Sequence, residues 1–505
     1  MKKKFADVLF CFLCMAILII PMALLNVKPD QTSAIDNKRL TEWESFSFQN
    51  NFRNGFQNYL NDRIGFREEA IDAYTVLNDK LFHVLVHPLY MYGQNGNIYY
   101  KESSYIAGFQ RINNNEAFMD SMISFLEKTK DYLDKKDIGF VYFLAPDKKT
   151  IYPEYFPKTV HVSNNKSWTE LMEEKLSKTE VDFVVPVEEL KKAKEENVIY
   201  NVKYDTTHWN ELGAFVGHKL LDQRLQKYLS NVSPLSEEDY DLTYEHRDSL
   251  DISKFRIDEN VPKYVLKEER AEDGGTLLVN EMVLNTNTFY EHFVNPQADN
   301  DEVALFFLDS YFGPYSKFYK ERYKEVYFLH RNNYQALQYY INLIQPDVVI
   351  FETAERSMLE EMQQFYYFEG YRYVPPFDQK REYEEGDREV SLSFDSMAGA
   401  GVSGKLLEVY DDGLNMMTIQ GSLYVPESPG DYHVYVKVGN TYYETSYEYL
   451  MLQETSSTSK QFQFAIQKRF LHGEEIEFFA VDNANGKLYK NLVRLEIKGA
   501  QEENE

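Results

Sequence analysis

Five short apolar runs, alternating with helix-like stretches, constrain this chain more than any other feature. Residues 138–144, 303–308 and 348–351 are nearly unbroken apolar runs, and 181–187 and 326–329 are further strand candidates of the same kind. Residues 117–133, 168–178 and 334–344 instead repeat apolar side chains at helical spacing. A strand covered on both faces reads as a continuous apolar run, whereas a strand wetted on one face alternates. Helix–strand alternation of this type predicts a parallel α/β sheet with helices on its faces.

The rhythm lapses between about residues 230 and 300, which are polar and acidic, and it changes near 390. There 432–438, 461–467, 475–481 and 492–497 are short alternating segments, with turn signals at Asn485-Gly486 and Pro429-Gly430. This predicts a second, all-β domain, a small sandwich over about 390–500. The charged stretch 376–389 reads as the linker. A chain of 505 residues is too long for one ordinary core, in keeping with this division.

At the other end, Lys2, Lys3 and Lys4 precede an apolar run over residues 8–25. The run is long enough to cross a bilayer, and the flanking lysines favour a cytoplasmic N-terminus with the rest exported. The expectation is an uncleaved transmembrane anchor within residues 1–27, a polar stalk over 28–50, and an extracytoplasmic domain over 51–380. A cleaved signal peptide is the alternative.

A net charge of −27 leaves no basic footprint for phosphate, which argues against nucleic acid as a partner. The two cysteines, Cys11 and Cys14, have redox or zinc spacing but lie in the apolar run, where thiols are inert. The ten histidines form no metal-binding motif.

Ligands of open parallel sheets gather at the carboxyl ends of the strands. Ser310 stands there, two residues after the run 303–308, just ahead of a helix-like stretch beginning near Pro314. Free backbone N–H groups at such a turn are suited to an oxyanion. Asp205 and His208 lie three apart on a loop that enters the helix-like run 211–221. A serine nucleophile needs a base, and the base needs a group that holds its tautomer. Ser310, His208 and Asp205 offer these three roles. Asp309, Tyr311 and Arg331 are candidate substrate or oxyanion contacts, while Glu355 and Arg356 read as a structural pair near the site. Spacing alone fits equally a helix-capping aspartate and a buried, satisfied histidine.

Several segments resemble, in wording and order, the SGNH hydrolase-like acetyltransferase family of alginate O-acetylation proteins (AlgX/AlgJ-like). They are Asn61-Asp62-Arg63-Ile64-Gly65-Phe66-Arg67, then Ala145-Pro146-Asp147-Lys148-Lys149, then Asp205-Thr206-Thr207-His208-Trp209-Asn210. Leu308-Asp309-Ser310-Tyr311 and Gln345-Pro346-Asp347 with Glu355-Arg356 follow. The resemblance runs from about residue 40 to 370. The Asp-x-x-His block precedes the serine block, the reverse of ordinary GDSL-type esterases and similar to the permuted layout of this family. The family's aspartate stands two residues before its histidine, where this chain has Thr206, and Leu308 replaces a glycine ahead of Asp-Ser.

The resemblance implies an acetyl group carried on Ser310 and passed to hydroxyls of a cell-surface or exported polysaccharide. It implies no cofactor, and a multi-spanning membrane-bound O-acyltransferase as acetyl source. The β-sandwich would hold the glycan. An esterase using the same triad with water, or an inactive glycan-binding scaffold, are the competing readings.

Overall fold

The computed structural model describes residues 2–29, 31–33, 38–43, 52–87, 89–250, 255–275, 290–360, 372–413, 415–426, 431–446, 459–473 and 475–498. The turn signal at Pro429-Gly430 and all of the expected stalk beyond residue 43 lie outside them.

The chain opens with helices α1 (Lys2–Ala23), α2 (Phe52–Arg63) and α3 (Arg67–Phe82). The expected transmembrane anchor requires correction: among the described residues no helix is long and apolar enough to cross a membrane. The apolar run does not stay helical to its end. The helix stops at Ala23, with Pro21 inside it, and the residues that follow dock on the α2–α3 corner. Gly65 donates to Pro21 O at 3.0 Å and Asn26 to Arg63 O at 2.7 Å. The Arg63 guanidinium binds the carbonyls of Lys28 and Thr41 at 2.6 and 2.7 Å. A Cβ on Gly65 would lie 2.7 Å from Leu24 Cβ, so glycine is what permits this approach.

The α/β region follows in the expected rhythm: α4 (Glu116–Asp134), β1 (Gly139–Ala145), α5 (Trp168–Leu176), β2 (Asp182–Val184) and α6 (Glu211–Leu225). A long hairpin, β3 (Tyr240–Ser249) with β4 (Arg256–Leu266), interrupts it where the sequence was hardest to assign. Then come β5 (Glu272–Asp273), β6 (Tyr290–Val294), β7 (Val303–Leu308), β8 (Glu325–His330), α7 (Leu337–Ile344), β9 (Val348–Ala354) and the short α8 (Glu355–Glu360). The sheet order is β2-β1-β9-β7-β8-β6-β5. The first five strands are parallel, and β6 and β5 add antiparallel at one edge.

Strand side chains alternate between two cores. Phe140, Tyr142 and Leu144 of β1 join Leu305 and Phe307 of β7 under α4, α5 and α7. Val141, Phe143, Ala304 and Phe306 face the other way, under α6. Residues 314–325 do not form the expected long helix. Only a 3₁₀ turn, Gly313–Phe318, forms there. Tyr315, Phe318, Tyr319 and Tyr323 are all buried, while Lys317, Lys320 and Glu321 between them stay part-exposed.

Beyond residue 384 the chain forms two sheets over one core. Ser391–Ala398, Met416–Tyr424 and Ser459–Gln467 make the smaller; Tyr432–Val438, Glu475–Asp482 and Lys487–Lys498 are the centre of the larger. This β-rich region is packed on the α/β region. Gln467 Nε2 donates to Leu343 O and Asn342 Nδ2 to Glu444 O, each at 2.7 Å. Glu444 also pairs with Lys136, and Arg469 with Glu325.

Gly213, in the first turn of α6, lets that helix lie against the strand-like segment around Ile199. A Cβ there would sit 2.4 Å from Ile199 O. Gly213→Val should therefore lose about 1–3 kcal/mol of stability. Urea unfolding checks it; an unchanged midpoint would mean the helix moves freely.

Candidate active site

The turn after β7 is tied to the end of β9 through one carboxylate. Asp309 Oδ1 accepts from Tyr311 N at 2.9 Å, and Oδ2 from Ala354 N at 2.9 Å and Ser357 Oγ at 3.1 Å. Its own N–H goes to Glu352 at 2.8 Å. Burial pushes the Asp309 carboxyl up, but the Arg331 and Arg356 cations and these N–H donors outweigh it and hold the group below its usual range. The turn so pinned presents Ser310 at the surface.

The opposing loop is fixed from three sides. Glu259 on β4 accepts the N–H groups of Val202, Lys203 and Tyr204 at 2.6, 2.8 and 2.7 Å. The buried Lys148 donates to the carbonyls of Ile98, Asn201 and Val202 at 3.1, 2.6 and 2.9 Å, and burial pulls its ammonium down to about 7. Downstream, the Asn210 side chain caps α6 by accepting from Leu212 and Gly213.

Between these braces the three residues read from the sequence meet. His208 Nδ1 lies 2.8 Å from Asp205 Oδ2, and Nε2 lies 2.9 Å from Ser310 Oγ. Asp205 Oδ1 also accepts from the N–H groups of Thr207 and His208, at 2.9 and 3.0 Å. The imidazole therefore carries its proton on Nδ1, facing the carboxylate, and offers the Nε2 lone pair to the serine. Burial pushes the Asp205 carboxyl up, yet His208 and the two N–H groups reverse that and hold it well below the ordinary aspartate range. Asp205, not Thr206, thus contacts the ring; the one-residue shift from the family wording is absorbed by the loop.

Residues 91–250 match the model of the family described as SGNH hydrolase-like domain, acetyltransferase AlgX. The matched span includes Asp205 and His208, so the SGNH-like resemblance read from the sequence stands there. Among solved structures, Bacillus cereus PatB1 with a sulfonyl adduct is 16% identical, with 53% of this chain and 96% of that one covered and a TM-score of 0.40. The O-acetyltransferase domain of Pseudomonas putida AlgJ is 14% identical over 56% of this chain and 100% of that one, with a TM-score of 0.37. A DHHW family protein from Eubacterium siraeum is 13% identical over 55% and 98%, with a TM-score of 0.33. No curated protein matches the chain.

The remaining candidates around this SGNH-like site divide by orientation. Tyr311 turns its ring to His208, 4.7 Å between centroids, but its hydroxyl points inward, 2.7 Å from Thr207 O and 2.9 Å from Asp147 Oδ1. Arg331 is buried beside Asp309, 3.6 Å away, and serves the turn rather than the open face. Asp309 spends its oxygens on the turn. The neighbour that the sequence reading took only as part of a structural pair is Arg356. Its Nη2 lies 2.7 Å from His208 Nε2 and 3.4 Å from Ser310 Oγ. The signal available was a charge just after a parallel strand.

A depressed carboxyl stabilises the fold fully above its unfolded value, near pH 3.9, and this contribution is lost as pH falls below that through the folded value. Wild type should therefore exceed Asp205→Asn in urea midpoint at pH 7, with the gap closing between pH 4 and the acid limit. A gap unchanged down to pH 3 would show that Asp205 is not held in its charged form by the fold.

Proposed function

We propose that this protein is a serine-dependent O-acetyltransferase that modifies hydroxyls of a cell-surface or exported polysaccharide. The observation that carries the proposal is the continuous Asp205–His208–Ser310 relay, with both links under 3 Å. The acetyltransferase description of the matched family supports the choice of group. PatB1 and AlgJ are consistent with it only as folds.

In this mechanism His208 Nε2 takes the Ser310 proton as Oγ attacks the acetyl carbonyl of the donor. Asp205 stabilises the imidazolium that forms. The imidazolium returns its proton to the leaving group, and the acetyl-serine remains. A sugar hydroxyl, deprotonated by the same nitrogen, then attacks the acetyl carbon and releases Ser310. The proposed donor is a membrane-bound O-acyltransferase. The proposed location is the outer face of the cytoplasmic membrane, with the exposed apolar side chains of α1 (Val8, Phe10, Ile17 and Leu18 among them) in contact with lipid.

The test is direct. Incubated with 4-nitrophenyl acetate, the full chain should gain one acetyl group on the peptide carrying Ser310, read by mass spectrometry. Ser310→Ala should abolish the label. His208→Ala should slow labelling by a factor on the order of 10² to 10⁴, and Asp205→Asn nearly as much, through loss of the tautomer. Wild-type protein that never carries acetyl on Ser310 would remove the acyl-serine reading. Labelling followed by release only to water, with every polysaccharide hydroxyl refused, would make the protein an esterase.

A further inference from the structure

The turn that carries Ser310 has few donors left for an oxyanion. Tyr311 N is committed to Asp309 Oδ1 at 2.9 Å, and Phe312 N and Gly313 N both go to Asp309 O, at 3.2 and 3.1 Å. The backbone N–H groups expected to be free after the serine are therefore occupied within the turn. Among the described residues, only that of Ser310 itself remains at this point.

Arg356 supplies what the backbone does not. Its Nη1 donates to Asp147 Oδ1 at 2.9 Å, and its Cζ sits 5.0 Å from the centre of the Tyr311 ring. Asp147 is in turn held by Lys149 Nζ at 2.9 Å and the Tyr311 hydroxyl at 2.9 Å, and Lys149 binds Glu355 at 2.7 Å. A guanidinium serving only as an ion pair would turn both arms to the carboxylate. Here the second arm passes Asp147 and ends between the two reacting atoms, 2.7 Å from His208 Nε2 and 3.4 Å from Ser310 Oγ.

Nε2 has one lone pair, and two donors, the serine hydroxyl and the Arg356 N–H, point at it. When Nε2 takes the serine proton it becomes a donor itself, and the guanidinium loses its acceptor. The nearest new acceptor is the negative oxygen forming on the carbon just bonded to Oγ. We propose that Arg356 is the oxyanion donor of this site, moving its Nη2–H bond from the resting His208 to the tetrahedral intermediate. The proposal rests on the acyl-serine reading above and deepens it.

The Oγ–C bond forms and the serine proton moves to Nε2. The carbonyl π pair moves to oxygen, where Arg356 Nη2–H and Ser310 N–H meet it. Collapse re-forms the carbonyl and breaks the bond to the leaving oxygen, which takes the proton from Nε2. The arginine contact is strongest in the intermediate, the condition under which a hydrogen bond accelerates a reaction.

The experiment measures the rate of Ser310 acetylation by 4-nitrophenyl acetate in the full chain, for wild type, R356A, R356Q and R356K, with thermal unfolding as a fold check. Removal of one oxyanion donor should slow acylation by a factor on the order of 10² to 10³. R356K should retain more activity than R356Q, and added methylguanidinium should speed R356A saturably while leaving wild type unchanged. A structural arginine would give no such rescue. R356A labelling within about threefold of wild type overturns the proposal, as does a folded, slowed R356A that methylguanidinium does not speed. If R356A fails to fold, the other two variants decide: equal rates in R356Q and R356K overturn it. Failure of wild type to label Ser310 is a separate result, and it removes the acyl-serine reading itself.

Discussion

The site depends on a charge that has no access to water. Asp147 is wholly buried, and burial alone pushes its carboxyl up. Lys149 and Arg356 reverse this and keep it ionised. A buried ion pair is weak evidence for stability, because desolvation offsets most of the attraction, and breaking it leaves an uncompensated charge. What such a cluster gives is geometry. Asp147 follows β1, Glu355 and Arg356 follow β9, and Tyr311 follows β7. The cluster therefore locks together the ends of three adjacent parallel strands, at the edge where the turn of Ser310 must be placed to within fractions of an ångström.

The same requirement explains the hairpin of β3 and β4. The loop that carries Asp205 and His208 cannot be held by its own backbone, since its N–H groups have no ladder to join. Glu259 accepts three of them in succession, and Lys148 binds three carbonyls on the other side. Arg247, from the partner strand, lies 4.7 Å over the Tyr204 ring next to Asp205. The hairpin is a brace for the loop that carries Asp205 and His208.

The contrast between what was legible and what was not follows from burial. Strands β1, β7 and β9 are covered on both faces, so their apolar runs stood out, and β7 spans the residues read from sequence. Hairpin strand β3 is exposed along most of its length and has no apolar period to read. Residues 314–325 misled because Tyr315, Phe318, Tyr319 and Tyr323 have helical spacing, yet only a 3₁₀ turn forms over Gly313–Phe318. The meeting of Asp205, His208 and Ser310 was legible because each sits next to a readable element. Arg356 was visible only as a charge after a strand, since which arm of a guanidinium faces which partner is decided by Asp147 and Tyr311, distant in sequence. The first apolar run does not stay helical to residue 25: the chain leaves the helix after Ala23 and docks Asn26 on Arg63, which hydropathy does not register.

An exposed serine also shapes what the proposed chemistry requires. A polymer cannot thread into a closed cavity, so a nucleophile at the surface suits a polysaccharide acceptor, but it admits water to the acetyl-serine as well. Preference for a sugar hydroxyl then has to come from holding that hydroxyl in line with the acyl carbon, where oriented groups react as if present at effective molarities on the order of 10⁵ M or more. The oxyanion contact favours both acceptors equally, because the second tetrahedral intermediate is formed at the same carbon whichever oxygen attacks. In the proposed reaction, selection between transfer and hydrolysis therefore belongs to whatever positions the glycan around His208, and not to Ser310, His208, Asp205 or Arg356.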